Sequence, residues 1–389
     1  MLVLIKNIEI YAPQYVGKKD VLLTGGKIGY IDNSIELPHH LLTDTINGEG
    51  KFLFPGFIDG HVHITGGGGE GSYKTRTPEL QLTDATLAGV TTIVGVIGTD
   101  GTTRTMPALI AKARGLEEEG ITCYVHTGSY QVPVKTLTGK IEDDLILIDR
   151  VIGAGEIAIS DHRSSQPTVE EMAKIASAAR IGGMLSGKAG IVNVHLGDSH
   201  SKLRLLEQVI EQHDIPVKTF QPTHINRNPY LFEAGIEFAK KGGYVDFTTS
   251  TVPSFLEGGE VKCSTGLKRM LESGVPIEHI TFTSDAQGSL PEFDSDGNLV
   301  GLKIGRVSSL YEEVRDAILQ ENVPIETALQ VITSTPAAVL KLSSKGQIEV
   351  GRDADLVLVD KESLYIQDVF AKGVCMVRDG EALKKGTFE

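Results

Sequence analysis

The run Phe52–Ile58, almost wholly apolar, leads into Asp59-Gly60 and then into His61-Val62-His63. Residues i and i+2 of a strand point to the same side, so His61 and His63 can aim both imidazoles at one metal ion. A buried strand that ends in paired histidines fits the first strand of a barrel enzyme. In such a barrel the site gathers at the C-terminal ends of the strands.

The middle of the chain has the matching rhythm. Strand-like runs fall at 52–58, 91–97, 122–127, 157–160, 191–195, 218–222, 245–249 and 280–284, with helical segments between them at 107–119, 169–181, 201–212 and 229–241. Pro107 is expected at the first position of its helix. Two more helices, 309–320 and 325–342, follow the last strand. Eight parallel strands over roughly 250 residues make an α/β protein of the (β/α)8 TIM-barrel type. The two ends differ from this. Residues 2–10 and 28–31 read as strands around a Gly25-Gly26-Lys27 hairpin tip, and 354–359 and 370–377 read as strands before a hairpin at Asp379-Gly380. The expected division is 1–50 and 343–389 forming one small β-sandwich domain, with a hydrolase barrel at 51–342 inserted between them.

Composition narrows the function. A chain of 389 residues that is 40% hydrophobic can bury a large core. The net charge of −14 and the lack of a basic stripe argue against nucleic-acid or anionic-membrane partners. Three widely separated cysteines suggest no disulfide framework, and no run reaches transmembrane length or signal-peptide form. The expected location is the cytoplasm.

Read at their strand ends, the polar residues form one set. The first strand contributes His61 and His63, and the fourth carries Glu156 at its start and Asp161-His162-Arg163 at its end. The fifth, sixth and eighth contribute His195, His224 and Asp285. Four histidines and two carboxylates suit two divalent ions, zinc first among them. Two such ions about 3.5–4 Å apart can share a hydroxide and polarise a carbonyl.

With these residues in place, the chain resembles the isoaspartyl (β-aspartyl) dipeptidases of the amidohydrolase superfamily. The first motif and the Ala354-Asp355-Leu356-Val357 segment are shared across the superfamily. Narrower are Gly66-Gly67-Gly68-Gly69-Glu70, Asp161-His162-Arg163-Ser164 and Thr223-His224-Ile225-Asn226-Arg227, and the likeness extends through Gly128-Ser129-Tyr130-Gln131-Val132-Pro133 and Ser284-Asp285-Ala286-Gln287-Gly288-Ser289. The resemblance implies that His61 and His63 hold one metal ion and that His195 and His224 hold the other. It implies a metal-bridged hydroxide attacking the substrate amide, with Asp285 as general base and then acid and Tyr130 donating to the oxyanion. It implies Glu70 on the substrate ammonium, with Arg163, Arg227, Ser289, Thr99 and the Gly68 backbone on its carboxylates. A dipeptide substrate and a homo-oligomeric assembly follow from the same likeness, while the glycine run itself lets backbone approach a ligand closely and leaves Glu70 on a mobile loop that could close over the site. A β-aspartyl dipeptide carries one ammonium and two carboxylates around an amide, so this set of groups is chemically apt.

One departure stands out. Where many members bridge the metals with a carboxylated lysine, this chain has Glu156, and no lysine lies between Val151 and Ser165. The expectation is that the Glu156 carboxylate bridges directly, with Lys218 on the sixth strand as the outside alternative. Asp161 and His162 are expected either to support a metal-bound histidine or to orient Arg163. The rival readings are another amidase of the superfamily, of dihydroorotase, hydantoinase or N-acyl-amino-acid deacylase type, which would not need Glu70, and a non-catalytic barrel scaffold.

Overall fold

The computed structural model describes residues 2–38, 40–41, 43–293 and 299–389. Eight parallel strands form its centre: Phe57–Val62, Val90–Gly95, Thr122–Thr127, Val151–Ile159, Ile191–Leu196, Phe220–Thr223, Val245–Thr248 and Ile280–Thr283. The first six make one continuous parallel sheet and the last two pair with each other. Backbone bonds near the strand ends link the two groups on both sides. Ile225 donates to Asp246, Asp285 donates to the His61 carbonyl at 3.2 Å, and His63 donates to the Ala286 carbonyl at 3.0 Å. Nearly every residue of these strands is buried, as befits parallel strands covered on both sides. The eight are the strands read from the sequence, and the resulting barrel has the expected α/β architecture.

The boundaries differ in informative places. Phe52–Ile58 is not one strand. Lys51–Pro55 joins a terminal sheet, antiparallel to Leu356–Asp360, and only Phe57–Val62 enters the barrel. Gly56 makes the junction because a β-carbon there would lie 2.3 Å from Thr91 Oγ1 and 2.9 Å from Asp355 Cβ. The fourth strand begins at Val151 rather than 157, so Glu156 sits inside the strand and not at its start. Gly153 and Gly155 give that stretch the look of a loop, yet each glycine leaves room for a neighbour on an adjacent strand. A β-carbon would come within 2.6 Å of His126 Nδ1 at the first and within 2.6 Å of the Asn193 carbonyl at the second.

Among the helices, Thr105 caps Met106–Glu119 by accepting from the Ala108 N–H, which moves Pro107 one place past the first helical position. Val169–Ser186 starts from a capping box of Thr168 and Glu171. The helix expected at 201–212 begins only at Arg204. The single helix expected over 325–342 is three short pieces, interrupted at Thr333, whose backbone is not helical.

Nine strands from both ends form one sheet. Leu2–Tyr11, Tyr15–Thr24, Lys27–Asp32, Thr43–Asn47 and Lys51–Pro55 meet Leu356–Asp360, Ile366–Ala371, Val374–Arg378 and Glu381–Ala382. The sheet curls until the Gly25-Gly26 hairpin tip touches the entry to Leu356–Asp360, where Ala354 donates to the Gly26 carbonyl at 3.0 Å. The fold encloses its own core of Ile5, Ile8, Leu23, Leu53, Leu358 and Phe370, among others. An antiparallel pair not anticipated from the sequence, Ser289–Phe293 with Leu299–Ile304, follows the eighth barrel strand.

Candidate metal centre and substrate pocket

The C-terminal mouth of the barrel holds a cavity of about 800 Å3, lined by His63, Glu70, Tyr130, Arg163, His195, His224, Arg227, Asp285 and Ser289, with further residues outside them. Its floor is the cluster expected from the strand ends. His61 Nε2 lies 2.8 Å from Glu156 Oε2 and 3.6 Å from Asp285 Oδ1, and His63 Nε2 lies 3.0 Å from Asp285 Oδ1. On the other side, His195 Nδ1 is 2.9 Å from Glu156 Oε1, and the His195 and His224 rings are 4.6 Å apart. Two ligand sets emerge, His61 with His63 and Asp285, and His61 with Glu156 and His224, each with its donor atoms within 4.8 Å of one another. His61 belongs to both. The two oxygens of Glu156 face opposite histidines.

The donor chemistry fits divalent ions. His61 Nδ1 sits 3.0 Å from the Asn193 side-chain oxygen, which can only accept, so Nδ1 carries the proton and Nε2 offers its lone pair. His61 Nε2, Glu156 Oε2 and Asp285 Oδ1 are all buried, and none makes a hydrogen bond. Buried lone pairs that converge without a donor are costly unless a cation stands among them. Burial, together with the neighbouring His195 and Arg227, pushes the His224 imidazole well below its usual range, so it is neutral and able to ligate. His224 and Asp285 also share left-handed backbone, with φ of 63° and 52°. Side chains other than glycine seldom adopt it, and such outliers cluster at functional sites.

Tyr130 Oη lies 2.8 Å from His195 Nδ1. Burial above all, with Glu156 adding to it, raises the phenol well above its ordinary range, so Tyr130 is a hydrogen-bond donor at neutral pH. Above the floor, Glu70 Oε1 accepts from Thr99 Oγ1 at 2.9 Å and lies 3.4 Å from Arg163 Nη1, while Ser289 Oγ is 3.4 Å from Glu70 Oε2. Anion and guanidinium therefore stand side by side over the histidine cluster. Arg227 lines the same cavity, with its Nε 3.9 Å from Asp198.

The glycine run is shaped by close approach. Gly68, at φ 65°, has the Thr75 carbonyl 2.6 Å from where a β-carbon would be, and Gly67 donates to the Gln287 carbonyl at 3.1 Å. The run is thus tied to the loop after the eighth strand.

Asp161 is buried and supports both His195 and Arg163. Burial works against its charge, yet the bonds from His195 and Arg163 outweigh it and hold the carboxyl far below the usual range. His162, by contrast, points outward with its side chain 90% exposed. Lys218 is excluded as a bridge. It lies in the turn Val217–Thr219 before the sixth strand, at the opposite end from the histidines, with its ammonium 5.5 Å from the Tyr244 ring centre. Three supporting residues were not anticipated: Asn193 on His61, Thr248 on His224, and the buried Arg104, which donates to the Gly67 carbonyl at 2.7 Å.

The amidohydrolase family model matches residues 255–379. A deacetylase of Brucella anthropi is 22% identical over 356 residues, covering 86% of this chain and 77% of that protein. A D-hydantoinase structure, 18% identical and covering 100% of this chain and 97% of its own, superposes with a TM-score of 0.69 and shares the fold. Nearer is the β-aspartyl dipeptidase of Fervidobacterium islandicum AW-1, solved in complex with β-Asp-Leu. It is 45% identical, covers 98% of each chain and superposes with a TM-score of 0.90. At that identity over nearly the whole of both chains, this protein belongs to the β-aspartyl dipeptidase family of the amidohydrolases.

Proposed function

We propose that the protein hydrolyses β-aspartyl dipeptides to aspartate and a free amino acid, using two divalent ions, zinc being the ion its donors suit best. His61, His63, Glu156, His195, His224 and Asp285 would hold them, and Glu156 would serve both through its two oxygens in place of a carboxylated lysine. When bound, the ions activate water and polarise the scissile carbonyl. The chain's own groups do the rest. Asp285 accepts a proton from the attacking water and returns it to the departing amine. Tyr130 donates to the oxygen that becomes anionic, a contribution made mainly in the transition state. Glu70 pairs with the substrate ammonium. Arg163, Arg227, Ser289, Thr99 and the Gly68 N–H receive the two carboxylates.

The observation that carries this reading is the pairing of Glu70 with Arg163, Thr99 and Ser289 directly above the histidine cluster. A carbonyl hydrolase of general purpose has no need of an anion and a guanidinium so placed. The same reading takes the barrel, through 342, as the catalytic unit, and the two chain ends as the small β unit, with the boundary expected at 51 moved past Lys51–Pro55, which joins the terminal sheet. It includes a homo-oligomer in the cytoplasm. Exposed Leu147, Met184 and Leu185, on neighbouring helices, support an assembly, which light scattering in solution would test. The decisive experiment measures hydrolysis of β-Asp-Leu and α-Asp-Leu together with metal content, in wild type and Glu156→Ala. Cleavage of the β isomer alone, two ions per chain, and loss of both properties in the variant are expected. Two ions without cleavage of β-Asp-Leu would reject the substrate, and an active variant would reject the bridge.

A further inference from the structure

We propose that Asp161 is a positioning residue that couples substrate capture by Arg163 to the metal-binding atom of His195. The inference rests on the reading of the site given above and adds a link within it. Asp161 is 6% exposed, and its carboxylate is fully used. Oδ1 accepts from the Arg163 backbone N–H at 2.7 Å and from its Nε at 3.0 Å. Oδ2 accepts from Arg163 Nη2 at 2.7 Å and lies 3.0 Å from His195 Nε2. Two physical consequences follow.

The first concerns the imidazole. A carboxylate faces each ring nitrogen, Asp161 at Nε2 and Glu156 at Nδ1, and each can only accept; with Glu156 given over to a metal ion, as proposed above, the ring proton stays on Nε2 toward Asp161 and Nδ1 keeps its lone pair. Nδ1 is the atom that faces Glu156 and Tyr130. Asp161 therefore selects the tautomer that presents a ligand atom to the metal centre, and makes that atom a stronger donor.

The second concerns the shared oxygen. Asp161 grips Arg163 along one edge, through Nε and Nη2, and leaves Nη1 toward Glu70 and the cavity. A substrate carboxylate arriving on Arg163 divides the guanidinium between two anions. The Asp161 charge then rests more on His195, and the metal ion is held more tightly while the site is occupied. Coupling of this kind is reciprocal, so a loaded metal centre also favours capture of the carboxylate.

Asp161→Asn tests the link. The amide keeps the shape but can donate toward Nε2, which favours the opposite tautomer with its proton on Nδ1. Zinc release to a chelator is measured with and without L-aspartate, in wild type and variant, alongside thermal unfolding and the kcat and KM for β-Asp-Leu. In wild type, L-aspartate should slow zinc release. The folded variant should hold one of its two ions about 10–100-fold more weakly, lose the effect of aspartate, and show a lower kcat together with a higher KM. A variant that keeps both ions as wild type does, with KM alone raised, would mean that Asp161 serves only Arg163, and the proposal fails. Wild-type zinc release indifferent to aspartate overturns the coupling without recourse to any variant. A wild type that does not cleave β-Asp-Leu, paired with a variant that still loses zinc, would reject the substrate reading and leave the Asp161–His195 link supported.

Discussion

On the proposed reading, the phenol of Tyr130, kept protonated beside a buried imidazole, donates to an oxygen that has yet to become charged. Tyr130→Phe should therefore lower kcat by roughly 10²–10³ while KM changes little, because the lost bond forms in the transition state. Steady-state kinetics on β-Asp-Leu check this, and a change confined to KM would sink the role. Glu70 acts earlier. Glu70→Gln removes a charge-assisted contact of about 1.5–3 kcal/mol, or roughly 10–150-fold in kcat/KM, with KM taking most of the change. An N-acylated substrate, which has no ammonium, should not feel the substitution; if it loses as much, Glu70 is doing something else. Much of this site was legible before the fold was known. His61, His63, His195, His224 and Asp285 each stand where an apolar run ends, and that position is what a barrel turns into a site. Glu156 was harder, because Gly153 and Gly155 disguise its strand as a loop. Asn193, Thr248 and Arg104 carried no signal at all, being ordinary polar residues whose partners are distant in sequence.

At the scale of the element, two glycines of opposite character make a paired test. Gly56 joins the terminal sheet to the first barrel strand with Thr91 and Asp355 pressed against it, so Gly56→Ala should destabilise by about 1–3 kcal/mol. Gly115 lies inside the helix Met106–Glu119 with nothing within 4 Å of its missing β-carbon, so Gly115→Ala should stabilise by about 0.4–1 kcal/mol. Chemical denaturation of both variants measures the contrast; equal effects would show that close approach does not explain Gly56. The same contrast explains what sequence patterning misses. A continuous apolar run predicts that Phe52–Ile58 is extended, which it is, but it cannot tell which of two sheets each half joins. Likewise the apolar residues of 325–342 suggest one helix while the backbone turns at Thr333.

Across the whole molecule, the terminal sheet is locked to the barrel by a buried charge cluster. Lys345 Nζ lies 2.9 Å from Asp353 and 2.5 Å from Asp355, and reaches Thr122 on the third barrel strand at 2.8 Å. Burial of Asp353 opposes its charge, yet Lys27 and Lys345 prevail and draw its carboxyl from the ordinary 3.8 down to about 2. A lowered folded pKa contributes stability above the ordinary value, and that contribution is lost as pH falls through the lowered one. Removing the lysine leaves Asp355 buried without its cation, at a cost of about 3–5 kcal/mol. Lys345→Met should thus be clearly less stable than wild type at neutral pH, with the gap narrowing between about pH 4 and pH 2. Unfolding free energies measured across that range decide it, and a gap independent of pH would remove Asp353 from the account.

The terminal sheet also sets a timetable for biosynthesis. Lys51 bonds to Asp368, 317 residues further along, and Lys51–Pro55 takes Leu356–Asp360 as its neighbour. A nascent chain emerging from the ribosome has all eight barrel strands available while that edge is still waiting for its partner. Until the last strands emerge, an apolar strand edge stands open to other chains, which makes the late stage of synthesis the moment of greatest exposure to aggregation and the natural point for chaperone protection.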